Sequence, residues 1–170
     1  MTTIRKIEIG AGKWPVAGYH HIDIEPGKNI DAVGDFRKMV FTDLEEIRAH
    51  HLLEHFGYTE VIDVLKQLHS WLATGGKLIV ETPDFERICA IFDDGGYWAD
   101  KEHMMIHAFG SQEADWAHHK IGWYKERYER ILPELGFEIE LIKQKHSYTR
   151  YGDRKTRYRL PNILVIAKKI

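Results

Sequence analysis

The residues of this chain whose types and spacing could do chemistry are a glycine turn, three acids and a set of histidines. Gly10-Ala11-Gly12 follows the apolar run from Ile4 to Ile9. Two glycines bracketing an alanine let a backbone approach a ligand closely at a strand's C-terminal edge, where open α/β sheets bind small molecules. A dinucleotide fingerprint needs a third glycine and a following helix to hold a pyrophosphate. Here Trp14 and Pro15 stand in that region and no amphipathic pattern follows. A phosphate-cradling Gly-Lys-Ser/Thr loop fails at Trp14, after Gly12-Lys13. The turn therefore suits an uncharged nucleoside-like ligand, or it is simply a tight turn. Asp23 ends the second apolar run, where Rossmann-type sheets place a carboxylate to grip ribose hydroxyls. Asp35, after Val33-Gly34, could accept a hydrogen bond from an amino group such as that of adenine, and Glu8 could face an ammonium group.

Two histidine groupings raise the question of a metal. His51-Leu52-Leu53-Glu54-His55 matches the inverted zinc-hydrolase pattern His-x-x-Glu-His, which needs a continuous helix presenting both histidines to one ion. This segment leaves a strand and meets Gly57 almost at once, so no metal is expected. His103 and His107, four apart, could share a helix face, but their simpler reading is as surface or half-buried histidines.

Periodicity supplies the elements that must position these groups. Strands are predicted at 4–9, 19–24, 30–33, 46–49 and 77–82, the last entered through Thr74-Gly75-Gly76. A helix is predicted over 59–72, with Val61, Val64, Leu65, Leu68, Trp71 and Leu72 on one face and Thr59 as N-cap. A second spans about 123–135 and ends at Gly136, with Tyr128, Ile131, Leu132 and Leu135 inward and Pro133 loosening its last turn. Strands at 137–143 and 162–167 close the chain as an antiparallel pair. This order argues an α/β sheet of mostly parallel strands. The first crossovers are too short for helices, so either they are stripped to loops or the early strands are misread; the first and favoured reading leaves one sheet face thinly covered and predicts a lid or a second copy of the chain over it.

At this point the sequence resembles a known family. Glu8-Ile9-Gly10-Ala11-Gly12, His21-Ile22-Asp23-Ile24, Gly34-Asp35-Phe36-Arg37-Lys38, the segment from Ala49 to Phe56 and that from Leu72 to Phe85 resemble the successive motifs of class I S-adenosylmethionine-dependent methyltransferases, nearest to the small bacterial methyltransferase-11-like type, some members of which are associated with cell-surface glycan synthesis. The likeness covers 4–85 and resumes loosely from Gly122 to Phe137. It implies a Rossmann-like fold with reduced helices and S-adenosylmethionine as cofactor. Glu8, Gly10 and Gly12 would line the methionine end, Asp23 the ribose, and Asp35 with the Phe36 backbone the adenine. His50 and His51 would lie beside the sulfonium. Lys13 and Trp14 depart from the family's small loop residues, and its usual N-terminal helices are not seen ahead of the glycine motif. A hydroxyl acceptor needs a proton acceptor, for which histidine is suited near neutral pH; His51 and then His119 are the candidate bases.

The rest of the chain bears on the partner. A single domain is expected over 1–170, with 86–122 as a substrate lid holding Gly95-Gly96, Trp98, Trp116 and four histidines. The stretch 143–161 is expected as a basic hairpin, with seven Lys/Arg between Lys143 and Arg159 against Asp153 alone, while the whole chain carries a net charge of −2. That stretch fits a phosphate-bearing substrate or a solvated hairpin, and nucleic acid is the less favoured partner of a slightly acidic chain. Cys89 is the only cysteine, which excludes an internal disulfide and fits a reducing cytoplasm. No membrane span or export signal is expected. The expected activity is methyl transfer to a small acceptor, a sugar or nucleotide-sugar. The alternatives are an RNA or other macromolecular methyltransferase, and a non-catalytic cofactor-binding subunit or regulator.

Overall fold

The computed structural model describes residues 4–94, 98–149 and 158–170. β1 (Lys6–Ile9), β2 (His20–Asp23), β3 (Ala32–Val33) and β4 (Leu44–His50) are parallel, in the order β3-β2-β1-β4. The connections 10–19 and 24–31 contain no helix, and that from β3 to β4 holds only the 3-10 turn Phe36–Lys38. The short crossovers are thus loops, as their length predicts. Backbone bonds carry the pairing beyond the strand ends: Gly10 N to Ile22 O at 2.9 Å, Asp31 N to His21 O at 2.9 Å and Gly34 N to Asp23 O at 2.8 Å.

α1 (Glu60–Trp71) buries Val61, Val64, Leu65, Leu68 and Trp71 on the face that the 3.6-residue period predicts. Its start differs from expectation. Thr59 already has helical backbone angles and makes no capping bond; instead the Glu60 carboxylate reaches back to Gly57 N at 3.3 Å. β5 (Leu72–Pro83) then pairs in parallel with β4. α2 (Phe85–Asp93), α3 (Trp98–Phe109), α4 (Lys125–Glu134), β6 (Phe137–Thr149) and β7 (Tyr158–Lys169) complete the sheet order β3-β2-β1-β4-β5-β7-β6. β7 is antiparallel to both β5 and β6. The closing strands are longer than their apolar runs because the ladder continues through polar residues such as Gln144 and Lys145. Segment 86–122 is largely helical rather than a loop: Ile88 on α2 and Met104 on α3 close a small apolar cluster with Leu160. Gly95-Gly96 and residues 150–157 of the expected basic hairpin lie outside the described residues.

Strand alternation gives the sheet two unlike faces. Ile7, Ile9, Ile22, Ile47, Ala49, Leu78, Val80, Val165 and Ala167 share one core with the buried residues of α1 and α4. On the other face Glu8, Glu46 and Arg48 satisfy one another and their neighbours. Arg48 Nε donates to Glu8 Oε1 at 2.8 Å, Lys6 lies 3.9 Å from Glu46, and the Tyr19 hydroxyl donates to Glu46. Half-buried Ile79, Leu141, Leu164 and Ile166 form the apolar remainder of this face. Among the described residues no helix is long and apolar enough to cross a membrane.

The α1 interface holds the core together, so Leu65→Ala at a fully buried position is expected to cost about 2–5 kcal/mol of stability, read from urea unfolding monitored by circular dichroism.

Candidate functional site

Parallel pairing aligns the C-terminal ends of β3, β2, β1 and β4, and almost every residue singled out by the sequence falls on that edge. Chain order reverses beside β1, between β2 and β4, the position at which open α/β sheets leave a crevice. Gly10 and Gly12 turn there with φ of +69° and +59°, angles that a side chain strains to adopt. A Cβ at Gly12 would meet only Gly10 O, at 3.9 Å, so the second glycine faces open space. Gly12 N donates to Asp23 Oδ2 at 2.8 Å and Glu25 N to Asp23 Oδ1 at 2.9 Å. The Asp23 carboxylate is therefore oriented by backbone, with lone pairs left to accept.

Two acids are more heavily engaged than the sequence indicates. Glu8 is 2% exposed; Oε1 takes Arg48 and Oε2 takes Val16 N at 2.7 Å. It fixes the course of the glycine loop rather than presenting a free carboxylate. Asp35 is gripped by Arg37, whose Nε and Nη2 donate to its two oxygens at 2.8 and 2.9 Å. Those bonds hold its carboxyl below the usual range, against a smaller opposing effect of burial. Phe36 turns its ring into the core against Phe56 and Trp71, so only its backbone can face the edge. Trp14 stands on the glycine loop 89% exposed.

The end of β4 carries a hydrogen-bonded cluster. His51 has a left-handed φ of +48°, held by its N–H to Glu81 O at 2.8 Å. His51 Nδ1 lies 3.0 Å from Glu54 Oε1 and Nε2 lies 3.3 Å from Asn162 Nδ2. A carboxylate accepts and an amide nitrogen donates, so His51 carries its hydrogen on Nδ1 and a lone pair on Nε2. Burial pulls the His51 pKa down, but the Glu54 carboxylate outweighs it and leaves His51 above its ordinary value. Glu54 itself is held low: burial would raise it, but the His51 bond together with the charges of His51, His119 and His55 outweighs that effect. Asn162 Nδ2 also donates to Glu81 Oε1 at 2.8 Å, and its Oδ1 accepts from His107 Nε2 at 2.9 Å. Glu81 Oε2 takes Lys145 Nζ at 2.6 Å and His50 Nε2. Burial pushes His107 down to about 4, with the donated bond to Pro161 O opposing. His103 and His107 are both buried in α3.

A second cluster adjoins the first through Glu54. Gly110 closes α3 with φ of +82°, where a Cβ would sit 2.0 Å from Ala117 O; only glycine lets the chain fold back so tightly. His119 N then reaches Phe109 O at 3.0 Å and Lys120 N reaches Glu54 O at 2.8 Å. This return brings His119 against His55, ring centroids 4.9 Å apart. The helical zinc pattern does not form, since His51 precedes the 3-10 turn Leu53–His55 and bonds Glu54 while His55 turns to His119.

The sequence does not single out Glu81, Asn162 or Lys145, and it offers Glu54 only within the zinc-hydrolase pattern. Glu81 and Asn162 still leave traces: a lone acid in the run Leu78–Thr82 and an asparagine opening the last apolar strand. What charge patterning could not show is that Lys145, counted in the basic hairpin, is committed to Glu81.

Comparison with known proteins agrees on architecture. Neither a family model nor a curated protein matches the chain by sequence. Among solved structures, a SAM-dependent methyltransferase from Methanosarcina mazei superposes with a TM-score of 0.61 at 14% identity, covering 100% of this chain and 94% of its own. A SAM-dependent methyltransferase from Thermotoga maritima gives 0.62 at 14% identity, covering 100% and 84%. The plantazolicin methyltransferase solved in complex with SAH gives 0.56 at 13%, covering 100% and 77%. This chain has the class I methyltransferase fold.

Glu81 generates a pH prediction. Its buried carboxylate sits at about 2 against an ordinary 4.5, because the bonds from His50, Lys145 and Asn162 outweigh the raising effect of burial. A depressed folded-state pKa contributes stability that is present above about 4.5 and lost as pH falls toward about 2. Acid unfolding should therefore steepen across that window, and Glu81→Gln should flatten it, as followed by thermal melts at stepped pH.

Proposed function

We propose that the chain is an S-adenosylmethionine-dependent methyltransferase acting on a small acceptor, a sugar or nucleotide-sugar in glycan synthesis. One observation carries the reading: at a single sheet edge, a glycine turn open to close approach adjoins a backbone-oriented Asp23 and, across β1, the His51–Glu54 pair. The class I methyltransferase fold and the SAM-dependent neighbours support it.

The donor set suits this cofactor. Asp23 can accept from two ribose hydroxyls, since Gly12 N and Glu25 N leave lone pairs on both its oxygens. Gly10 and Gly12 admit the amino-acid end where side chains would intrude, and Glu8 acts by holding the loop through Val16 N. Asp35 offers an amino group only the acceptor capacity that Arg37 leaves it, and the Phe36 N–H stands beside it. When bound, the sulfonium supplies an electrophilic methyl group, and the protein's task is to position and desolvate the reactants.

The chain's own contribution to the transfer is a base. His51 Nε2 carries the lone pair, and the buried Glu54 carboxylate orients the ring through Nδ1–H and stabilises the imidazolium formed on taking an acceptor proton. The His51 side chain is 36% exposed, so an acceptor hydroxyl can reach it. His119 is the second candidate, with a ring nitrogen within 4.8 Å of a Glu54 carboxylate oxygen. His50, bonded to Glu81, positions rather than accepts. Helices α2 and α3 are where acceptor specificity is expected.

Two measurements test this. Calorimetry should show S-adenosylmethionine binding that Asp23→Ala weakens about ten-fold or more, the loss of charge-assisted bonds to the ribose; no heat with the unsubstituted chain would remove the cofactor reading. A tritiated-methyl screen over sugars, nucleotide-sugars and RNA should then give transfer to a small acceptor. With that acceptor, His51→Ala should lower turnover about ten-fold or more while cofactor affinity stays within a few-fold. Unchanged turnover takes His51 out of the mechanism, and binding without transfer favours a non-catalytic subunit.

A further inference from the structure

With His51 as the base, methyl transfer gives no task to the histidine pair His55 and His119 on the far side of Glu54. One ligand atom from each of Glu54, His55 and His119 lies within 4.8 Å of the other two. Both imidazoles are locked in the tautomer that a metal requires. His55 Nδ1 lies 3.1 Å from His118 O, and His119 Nδ1 lies 3.1 Å from His107 O. A carbonyl only accepts, so each Nδ1 carries the hydrogen and each Nε2 keeps a lone pair, the outer-shell arrangement that orients metal-ligating histidines.

The carboxylate provides the independent sign. Glu54 is 1% exposed; Oε1 takes the bond from His51, while Oε2 is buried and receives no hydrogen bond among the described residues. A buried anionic oxygen with no donor is costly, and an unsatisfied group of this kind calls for an ion or water as partner. The backbone holds the three together from both segments, through Lys120 N to Glu54 O and the tight return at Gly110.

We propose that Glu54 Oε2, His55 Nε2 and His119 Nε2 bind a divalent transition-metal ion of the zinc type. Two imidazoles and one carboxylate suit such an ion better than magnesium or calcium, which take oxygen sets. A tetrahedral ion about 2.1 Å from each ligand holds ligand atoms about 3.4 Å apart, and a ligand atom of each residue already lies within 4.8 Å of the other two, a difference within the reach of side-chain rotation. Three protein ligands leave a fourth position for water or a substrate oxygen, as in catalytic rather than structural zinc sites. His51 is not a ligand here, which separates this site from the helical His-x-x-Glu-His pattern. The assignment is independent of the methyl-transfer reading and stands if S-adenosylmethionine does not bind.

The test uses the full chain, stripped with chelator and titrated with zinc by calorimetry, and with cobalt by visible absorption. One equivalent of zinc should bind with a dissociation constant of about 1 µM or tighter, and cobalt should give the intense absorption of a four-coordinate N/O site. His55→Ala and His119→Ala should each weaken zinc about ten-fold or more, whereas His20→Ala, at a histidine beside Asp31, should not. His55 is the more exposed ligand and keeps the test decisive should the His119 variant not fold. No zinc uptake, or uptake equally tight in the His55 variant, overturns the site.

Discussion

The structure depends on β1 having a parallel neighbour on each side. Ile7, Glu8 and Ile9 register with β2 on one flank and with β4 on the other, which puts three strand ends in one row, and β3 adds a fourth by pairing with β2. In most parallel sheets a crossover helix covers each such step and shares the work of holding strands in place. Here β1, β2 and β3 follow one another through loops, so backbone bonds past the strand ends and side-chain bonds such as Gly12 N to Asp23 replace that layer. The groups that fasten the loops are then the groups that line the crevice. Asp23 belongs to both sets.

The missing layer also explains where charge is buried. Glu8 and Glu81, each at most 2% exposed, sit on the face opposite the core and are paired with Arg48 and with Lys145 and His50. Burying a carboxylate costs several kcal/mol, which only close, multiply bonded cations offset. These pairs are therefore weak evidence for added stability and strong evidence for a fixed register, since a slip of one residue would strand every charge on the apolar face. Glu54 is the exception. Among the described residues it has one hydrogen-bond partner, His51, for its two oxygens, and it stands where both clusters of the site meet.

His51 shows the same economy at a single residue. Its left-handed backbone is uncommon for any residue but glycine, though histidine is among those enriched there. The turn ends β4 and swings the imidazole between Glu54 and Asn162, so the uncommon backbone angle is what places the ring in the cluster.

The sequence by itself determined the α/β class, the parallel run, the antiparallel close and the strand edge on which the singled-out residues gather. These follow from local signals: alternation in β1 and β4, the 3.6-residue face of α1, and glycines and acids just after apolar runs. It also determined that Gly10, Asp23, Asp35 and His51 stand at strand ends, because a strand's C-terminal residue is readable from its own run. It did not show α2 and α3, whose mixed composition around Gly95-Gly96 reads as loop and whose burial depends on packing against Leu160. Nor could it show which side chains are already spent. Arg37 closes on Asp35 two residues away, but Arg48 reaches Glu8 across forty residues, Lys145 reaches Glu81 across 64, and Asn162 reaches His51 across 111. Tertiary structure alone decided those partnerships, and with them which nitrogen of His51 carries the hydrogen. Hydrogen-bond partners in a sheet are set by strand order, and strand order is not written in the spacing of any one segment.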